Sequence, residues 1–337
     1  MGWAIVGNTQ TAPVMAAKFE WDKEETKLFL SLIGNVSLFG VAIGSIFGGH
    51  LIDKGRRKAI FIMNFVVILG AALTLARTVY TIIIGRFICG FAAGILNMCS
   101  MKSIVETVPM KYSGAFGAMT NIFLNIGAML CSVLGMALPA DEEDYKEDEM
   151  WRLTYGFPIV LAVIQVILMA AIFRWEPIDY SIKNGNDEAA LHMLHRLYDP
   201  IDDEAVKDEV FKTYVDERRA ELKKAESKKK KVGFKEALLG HDYWRATWTC
   251  FFIGCCYGFS AIEPVNVYSS TLLIAIRSIA TDFPLSVKAG VLIINTANFI
   301  GSFLAVFASR YVGRKLILSI GHTSMMVCHL LVGVFMH

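Results

Sequence analysis

Gly49-His50-Leu51-Ile52-Asp53-Lys54-Gly55-Arg56-Arg57-Lys58 sets four cations and one carboxylate between two long apolar segments, Leu28–Ile52 and Ala59–Val79. Each segment, wound as a helix at ~1.5 Å per residue, is long enough to cross ~30 Å of hydrocarbon. The stretch between them therefore reads as a tight turn that joins two helix ends at one membrane face. Its Lys and Arg residues mark the cytoplasmic side, but an acid contributes little to orientation. Asp53 in a basic turn thus asks for a different explanation, a contact with a cation that holds helix ends together.

The wider composition agrees. The chain of 337 residues is 55% hydrophobic and 19% charged, a membrane composition that excludes an ordinary soluble domain. Apolar segments occupy 1–17, 28–52, 59–79, 81–104, 114–138, 153–174, 246–274, 287–308 and 315–336. The fold class this implies is an all-α integral membrane bundle. The chain opens into Gly2–Ala17 without a basic leader, and its first apolar segment is short for a span. Cysteines at 89, 99, 131, 250, 255, 256 and 328 lie mostly within apolar segments, which favours reduced packing residues over disulfides. Cys255 and Cys256 are adjacent and cannot face one ligand from a helix. His192 and His195 share a helix face with no further ligand nearby, so no metal site is expected. No phosphate loop, dinucleotide fingerprint or catalytic constellation is present, and the expectation is neither an enzyme nor a cofactor protein.

Charge is segregated although the net value is only +2. Lys54, Arg56, Arg57 and Lys58 lie in one turn, and Arg310, Arg314 and Lys315 in another. The segment 141–149 instead carries seven acids and one lysine. Counting helices with these charges puts the N-terminus in the cytoplasm. The polar stretch 175–244 then becomes a cytoplasmic linker, with an amphipathic helix over 187–197 and a charged helix over 203–231. Its run Lys228-Lys229-Lys230-Lys231 is either a solvated tether or a contact for anionic lipid; nucleic acid has no support. Gly55-Arg56-Arg57 recurs as Gly313-Arg314-Lys315, each between consecutive apolar segments. Two related halves are expected, a six-helix bundle over 1–174 and a partial bundle over 245–337.

The turn resembles the loop between helices 2 and 3 of the major facilitator superfamily, in its sugar-porter (glucose/hexose transporter-like) branch. That pattern reads G-x-L-x-D-(R/K)-x-G-(R/K)-(R/K), and this chain has one residue fewer between Lys54 and Gly55. Gly85-Arg86 with Gly90 and Gly94 is similar to the helix-4 pattern G-R-x-x-x-G-x-x-x-G. Glu106, Pro109 and Gly114-Ala115 resemble the turn E-x-x-P-x-x-x-R-G-A, with Ser113 in place of the arginine. Trp151-Arg152 with Gly156 and Gln165 is similar to the start of helix 6, and Glu176, Tyr180, Gly185, Glu188 and Ala189 to the signature after it. The resemblance implies about nine of twelve helices, incomplete at both ends, either as a fragment or as a naturally shortened chain. It also implies a conformational latch of Asp53, Arg56, Arg57, Arg86 and Glu106 clustered at the cytoplasmic face, with Arg314 in the second half. In that second turn the family acid falls on Arg310. The alternative for Arg56 and Arg57 is a purely topological role.

The resemblance places the family's helix-5 sugar amide on Asn121, one methylene shorter. On helix 7 it places Tyr257 and Gly258 at two family glutamines and Glu263 at an asparagine. Glu263 is followed by Pro264, which kinks a helix and frees a carbonyl, while a carboxylate at membrane depth faces a cavity or a partner. If the helix ends earlier, Glu263 lies near the outer surface. Asn8, Gln10, Asn125, Asn295 and Asn298 are further amides, open to either the cavity or helix packing. Ala4 follows Gly2-Trp3 where proton-coupled relatives carry an aspartate, which favours facilitated diffusion. Two functions follow. One is alternating-access transport of a hexose, polyol or related hydroxylated molecule. The other is a non-transporting structural subunit or sensor with membrane-protein partners. Membrane lipid surrounds the bundle in both.

Overall fold

The computed structural model describes residues 2–108, 110–139, 145, 148–198, 204–228, 236, 240–241, 243–259, 262–279 and 286–335. Its elements are all helical among the described residues: α1 Gly2–Lys18, α2 Lys23–Ile52, α3 Arg56–Thr74, α4 Val79–Thr107, α5 Met110–Gly135 and α6 Met150–Ala171. After them come α7 Ile178–Lys183, α8 Asp187–Leu197, α9 Glu204–Lys228, α10 Trp244–Phe259, α11 Ile262–Ile279, α12 Val287–Tyr311 and α13 Arg314–Phe335. Among the described residues six helices are long and apolar enough to cross a membrane, α2 to α6 and α12. Their outward side chains, such as Phe39, Ile46, Phe65 and Ile167, stay exposed, the surface a bilayer covers.

Local chemistry sets the helix ends. Asp22 accepts from the Lys23 N–H at 2.8 Å while Glu25 accepts from the Asp22 N–H at 3.2 Å, a capping box that starts α2. Gly55 closes the turn to α3 at φ 137°, a backbone state that a side chain would strain, so the shortened turn requires glycine. The apolar segment 246–274 holds α10 and α11, and residues 260–261 between them lie outside the described ones. Pro264 falls in the first turn of α11, where its missing N–H leaves no helical bond unmade.

The chain divides into two compact units. One comprises Met1–Arg174 with Pro264–Val312, the other Trp175–Glu263 with Gly313–His337. Within the first, α4 lies between α2 and α3. Gly40, Gly44 and Gly48 of α2 lie against Phe87, Phe91 and Ile95 of α4, and Gly90 and Gly94 of α4 against Ser37, Val41 and Ser45 of α2. A Cβ at Gly40 would stand 2.5 Å from the Phe87 carbonyl oxygen; one at Gly44 would overlap that of Phe91, and one at Gly90 that of Ser37. Backbone therefore meets backbone, which gives tight dispersion contact where lipid offers no hydrophobic drive for helix association. Ile52, Ala59, Met63, Ala92, Ile95 and Cys99 close the core at one end of this crossing. Val14, Met15, Ile33, Ile82, Leu138, Trp151 and Tyr155 close it at the other.

In the second unit α7, α8 and α9 pack around Ile178, Ile182, Ala190, Leu194, Phe211 and Val215. Arg218 grips both oxygens of Asp179, at 3.0 and 2.9 Å, and that bond raises the arginine pKa. The amphipathic helix expected at 187–197 is α8, capped by the Asn186 side chain.

Substitution at the crossing tests this packing. Gly44→Leu should destabilise the protein by about 1–3 kcal/mol or prevent assembly. Gly49→Ala, on the same helix with open space around it, should be neutral or stabilising by up to about 1 kcal/mol. Unfolding in detergent reads both, and equal behaviour would refute the close contact.

Candidate functional site

The charged turn delivers its side chains to the end of α4. Arg56 is 4% exposed, and it donates through Nε to Glu106 Oε2 at 2.8 Å and through Nη2 to Oε1 at 2.5 Å. A third donation reaches the Ile52 carbonyl at 3.4 Å. The planar guanidinium fits the carboxylate in two parallel bonds, and lysine could not reproduce that geometry. Asp53 accepts from Lys102 Nζ at 2.8 Å in a more exposed pair. Arg57 turns away to the end of α6, donating to the Phe173 carbonyl at 3.0 Å and the Met169 carbonyl at 3.3 Å. It occupies carbonyls that the helix leaves unmet. Three helix junctions thus converge on two consecutive arginines.

Arg86 does not join this group. Twenty residues of one continuous helix separate it from Glu106, about 30 Å of axial rise. Arg86 lies instead against α2 and α6, with Nε 3.5 Å from the Ile33 carbonyl and its guanidinium carbon 5.3 Å from the Tyr155 ring centre. The expected single cluster is therefore divided between the two ends of α4. Lys102 was missed as a member, although it precedes Glu106 by four residues and so shares its face. The Arg314 side chain lies outside the described part of the structure.

The polar residues of α1 are tied into neighbouring helices. Tyr155 donates to Asn8 Oδ1 at 3.1 Å, and Thr11 donates to the Tyr155 hydroxyl at 3.3 Å. Thr9 Oγ1 reaches the Val267 carbonyl of α11 at 3.0 Å. Gln10 donates to the Ser132 carbonyl at 3.3 Å, and its Oε1 abuts Gly135, where a Cβ would collide with it. Asn295 donates to Ser132 Oγ at 2.9 Å and to the Val291 carbonyl at 3.0 Å. Gln10 and Asn295 are thus brought together at Ser132, both buried in helix packing. Asn121 stands exposed on α5, Tyr257 is exposed on α10 in the second unit, and the Glu263 side chain lies outside the described part.

A cavity of about 550 Å³ runs along α4 inside the first unit. Trp3, Asn64, Arg86, Asn97, Tyr155 and Gln165 are among its walls. A second, of about 390 Å³, lies between α1, α2 and α11, bordered by Asn8, Ser31, Tyr268, Ser270 and Thr271. Tyr268 is held there by Asn35, which donates to its hydroxyl at 3.1 Å. Both cavities have the size, and the mostly apolar walls with a few directed polar groups, of pockets that hold small molecules.

The family model described as "Sugar (and other) transporter" matches residues 2–337. Hexose transporter 1 of Plasmodium knowlesi is 24% identical over 291 residues, 84% of this chain and 55% of the relative. Solute carrier family 2, facilitated glucose transporter member 2, of Sus scrofa is 28% identical over 326 residues, 93% of this chain and 58% of the relative. The chain thus spans a little over half the length of these relatives. Among solved structures, the proton:xylose symporter XylE bound to 6-bromo-6-deoxy-D-glucose superposes with TM-score 0.71 at 17% identity, covering 94% of this chain and 67% of that one. The partially occluded inward open conformation of the E. coli xylose transporter XylE gives 0.69 at 16%, covering 94% and 71%. The fold is that of the major facilitator superfamily.

The buried ion pair can be probed by a double-mutant cycle. Arg56→Ala should cost about 3–5 kcal/mol, since it strands the Glu106 carboxylate in a largely buried position. Arg56→Ala with Glu106→Ala should recover part of that loss in detergent unfolding. A double variant no more stable than Arg56→Ala alone would refute the coupling.

Proposed function

Since the chain belongs to the family of sugar (and other) transporters, we propose that it is a facilitative carrier of hexoses or related polyols that works by alternating access. The observation that carries this reading is the bidentate Arg56–Glu106 pair at the charged turn. A pair buried in one state and released in another sets an energy difference between conformations, whereas a static scaffold gains nothing from a breakable contact. Together with Asp53–Lys102 and Arg57 on the end of α6, it forms the latch of the first half. The curated relatives named above, hexose and glucose transporters, support the substrate class.

The residues assigned to the substrate in this reading are Asn121, Tyr257 and Glu263, together with Gln10 and Asn295, on the family resemblance of their positions. The organisation is a first bundle over 1–174, a cytoplasmic linker over 175–244 and a partial second bundle over 245–337. Arg314 begins the corresponding turn of the second half. Ala4, in place of a helix-1 carboxylate, favours facilitated diffusion over proton symport. The chain is an integral multi-pass membrane protein, and its N-terminus and linker are assigned to the cytoplasm on the lysine and arginine bias.

Two measurements test this. In a cysteine-free background, Lys183→Cys and Tyr145→Cys should react with an impermeant thiol reagent from opposite faces; the same face for both refutes the topology. In proteoliposomes the chain should equilibrate radiolabelled hexose or polyol without a pH gradient. Glu263→Gln and Asn121→Ala should raise the half-saturating concentration by about tenfold each, a loss of about 1.4 kcal/mol in binding. Absence of uptake for every hexose and polyol tried would leave a structural subunit as the reading.

A further inference from the structure

Three polar contacts join α5 to α12 in one register. Asn125 Nδ2 donates to Ser302 Oγ at 2.6 Å, and Asn295 Nδ2 to Ser132 Oγ at 2.9 Å. Lys288 Nζ donates to the Pro139 carbonyl at 2.6 Å and also to that of Leu138. On the α5 side the partners sit at 125, 132 and 139; on α12 they sit at 302, 295 and 288. The steps from 125 to 132 on α5 and from 302 through 295 to 288 on α12 are seven residues each, about 10.5 Å along a helix, as for antiparallel helices that meet along a single seam. Leu138 and Pro139 lie just past the end of α5. Buried Ala128, Cys131 and Val291 occupy the interval at the centre.

The rungs are not alike. Asn125, Ser132 and Asn295 are buried, so parting them leaves neutral polar groups with no water to replace the lost partner. Lys288 is half-buried at the end of the seam, where its ammonium can exchange carbonyls for water at small cost. Its position also needs explaining. A cation in the first turn of α12 has the wrong sign for the dipole of its own helix. The carbonyls beyond the end of α5, at the negative pole of that helix, supply the compensation.

We propose that Lys288 is a clasp that closes one end of the α5–α12 seam, while the two amide rungs hold the register about which the helices part. The clasp rests on the carrier reading only for its use in transport; its opening is a property of the seam and is read without any substrate.

Cys131, buried in the seam beside Ser132, is the reporter when the other six cysteines are replaced in the full chain. Its rate of modification by a small neutral thiol reagent is followed in detergent for the parent, Lys288→Met, Lys288→Arg and Ser302→Ala. Thermal unfolding of each is recorded to confirm that it is folded. Lys288→Met should react about tenfold faster, equivalent to about 1.4 kcal/mol of seam opening. Lys288→Arg, which keeps donors in reach of the carbonyls, should remain within about twofold of the parent by the same relation. Ser302→Ala, at the far rung, should react much more slowly than Lys288→Met. A Lys288→Met rate equal to the parent overturns the clasp, as does Lys288→Arg or Ser302→Ala matching Lys288→Met. If Lys288→Met does not fold, Lys288→Leu, which also lacks a donor, takes its place with the same outcomes. A chain that shows the clasp but moves no sugar would reject the carrier reading alone.

Discussion

Backbone contact between α2 and α4 is the constraint from which the first unit is built. Ser37, Val41 and Ser45 of α2 lie against glycines of α4, and Phe87 and Phe91 of α4 against glycines of α2. With no side chain between them, the two helices can approach only at this crossing, and their relative register is fixed to within a residue. The consequence extends along both helices. It brings Ile52 and the turn at Gly55 beside the final turns of α4, where Glu106 waits for Arg56. It also sets Ile33 against Arg86 and Ile82 at the other end.

Around that crossing, polarity is disposed by what can be satisfied without water. The consecutive residues Asn8, Thr9, Gln10 and Thr11 each find a partner on another helix or on the preceding turn of α1. A buried amide or hydroxyl left alone in such a site would cost several times what its hydrogen bond contributes. These bonds consequently specify which helices α1 may touch, rather than adding much net stability. Charge is treated differently. Lys18 donates to Glu149 at 2.7 Å at the exposed end of α1, and that bond holds the Glu149 carboxyl below its usual range. Lysines and carboxylates at helix ends can trade a partner for water, and they are the groups suited to contacts that form and break.

The two arginines of the turn show how adjacent residues acquire separate tasks. On a helix, neighbours in sequence point about 100° apart. Arg56 accordingly faces α4 and Arg57 faces α6, so one binds a carboxylate and the other a set of helix-end carbonyls. The first interaction depends on charge at both partners and the second only on the donor. A pattern of consecutive basic residues does not distinguish them.

Much of this was legible in the sequence. Hydrophobic runs gave the spans. The family motifs gave Arg56 with Glu106. Each of these depends on residues close in sequence or on a pattern whose partner pattern is also present. The placement of Arg86 was legible too, by counting rise along α4, but the motif grouped it with residues of the opposite helix end. Other features were settled only by tertiary structure: Ser132 as the meeting point of Gln10 and Asn295, Lys288 on the end of α5, and Lys102 as partner of Asp53. The physical reason is degeneracy. Periodicity tells which face of a helix is buried but not which helix it meets, and an asparagine suits a sugar hydroxyl as well as a serine across a helix seam. Only the register of packed helices chooses between them.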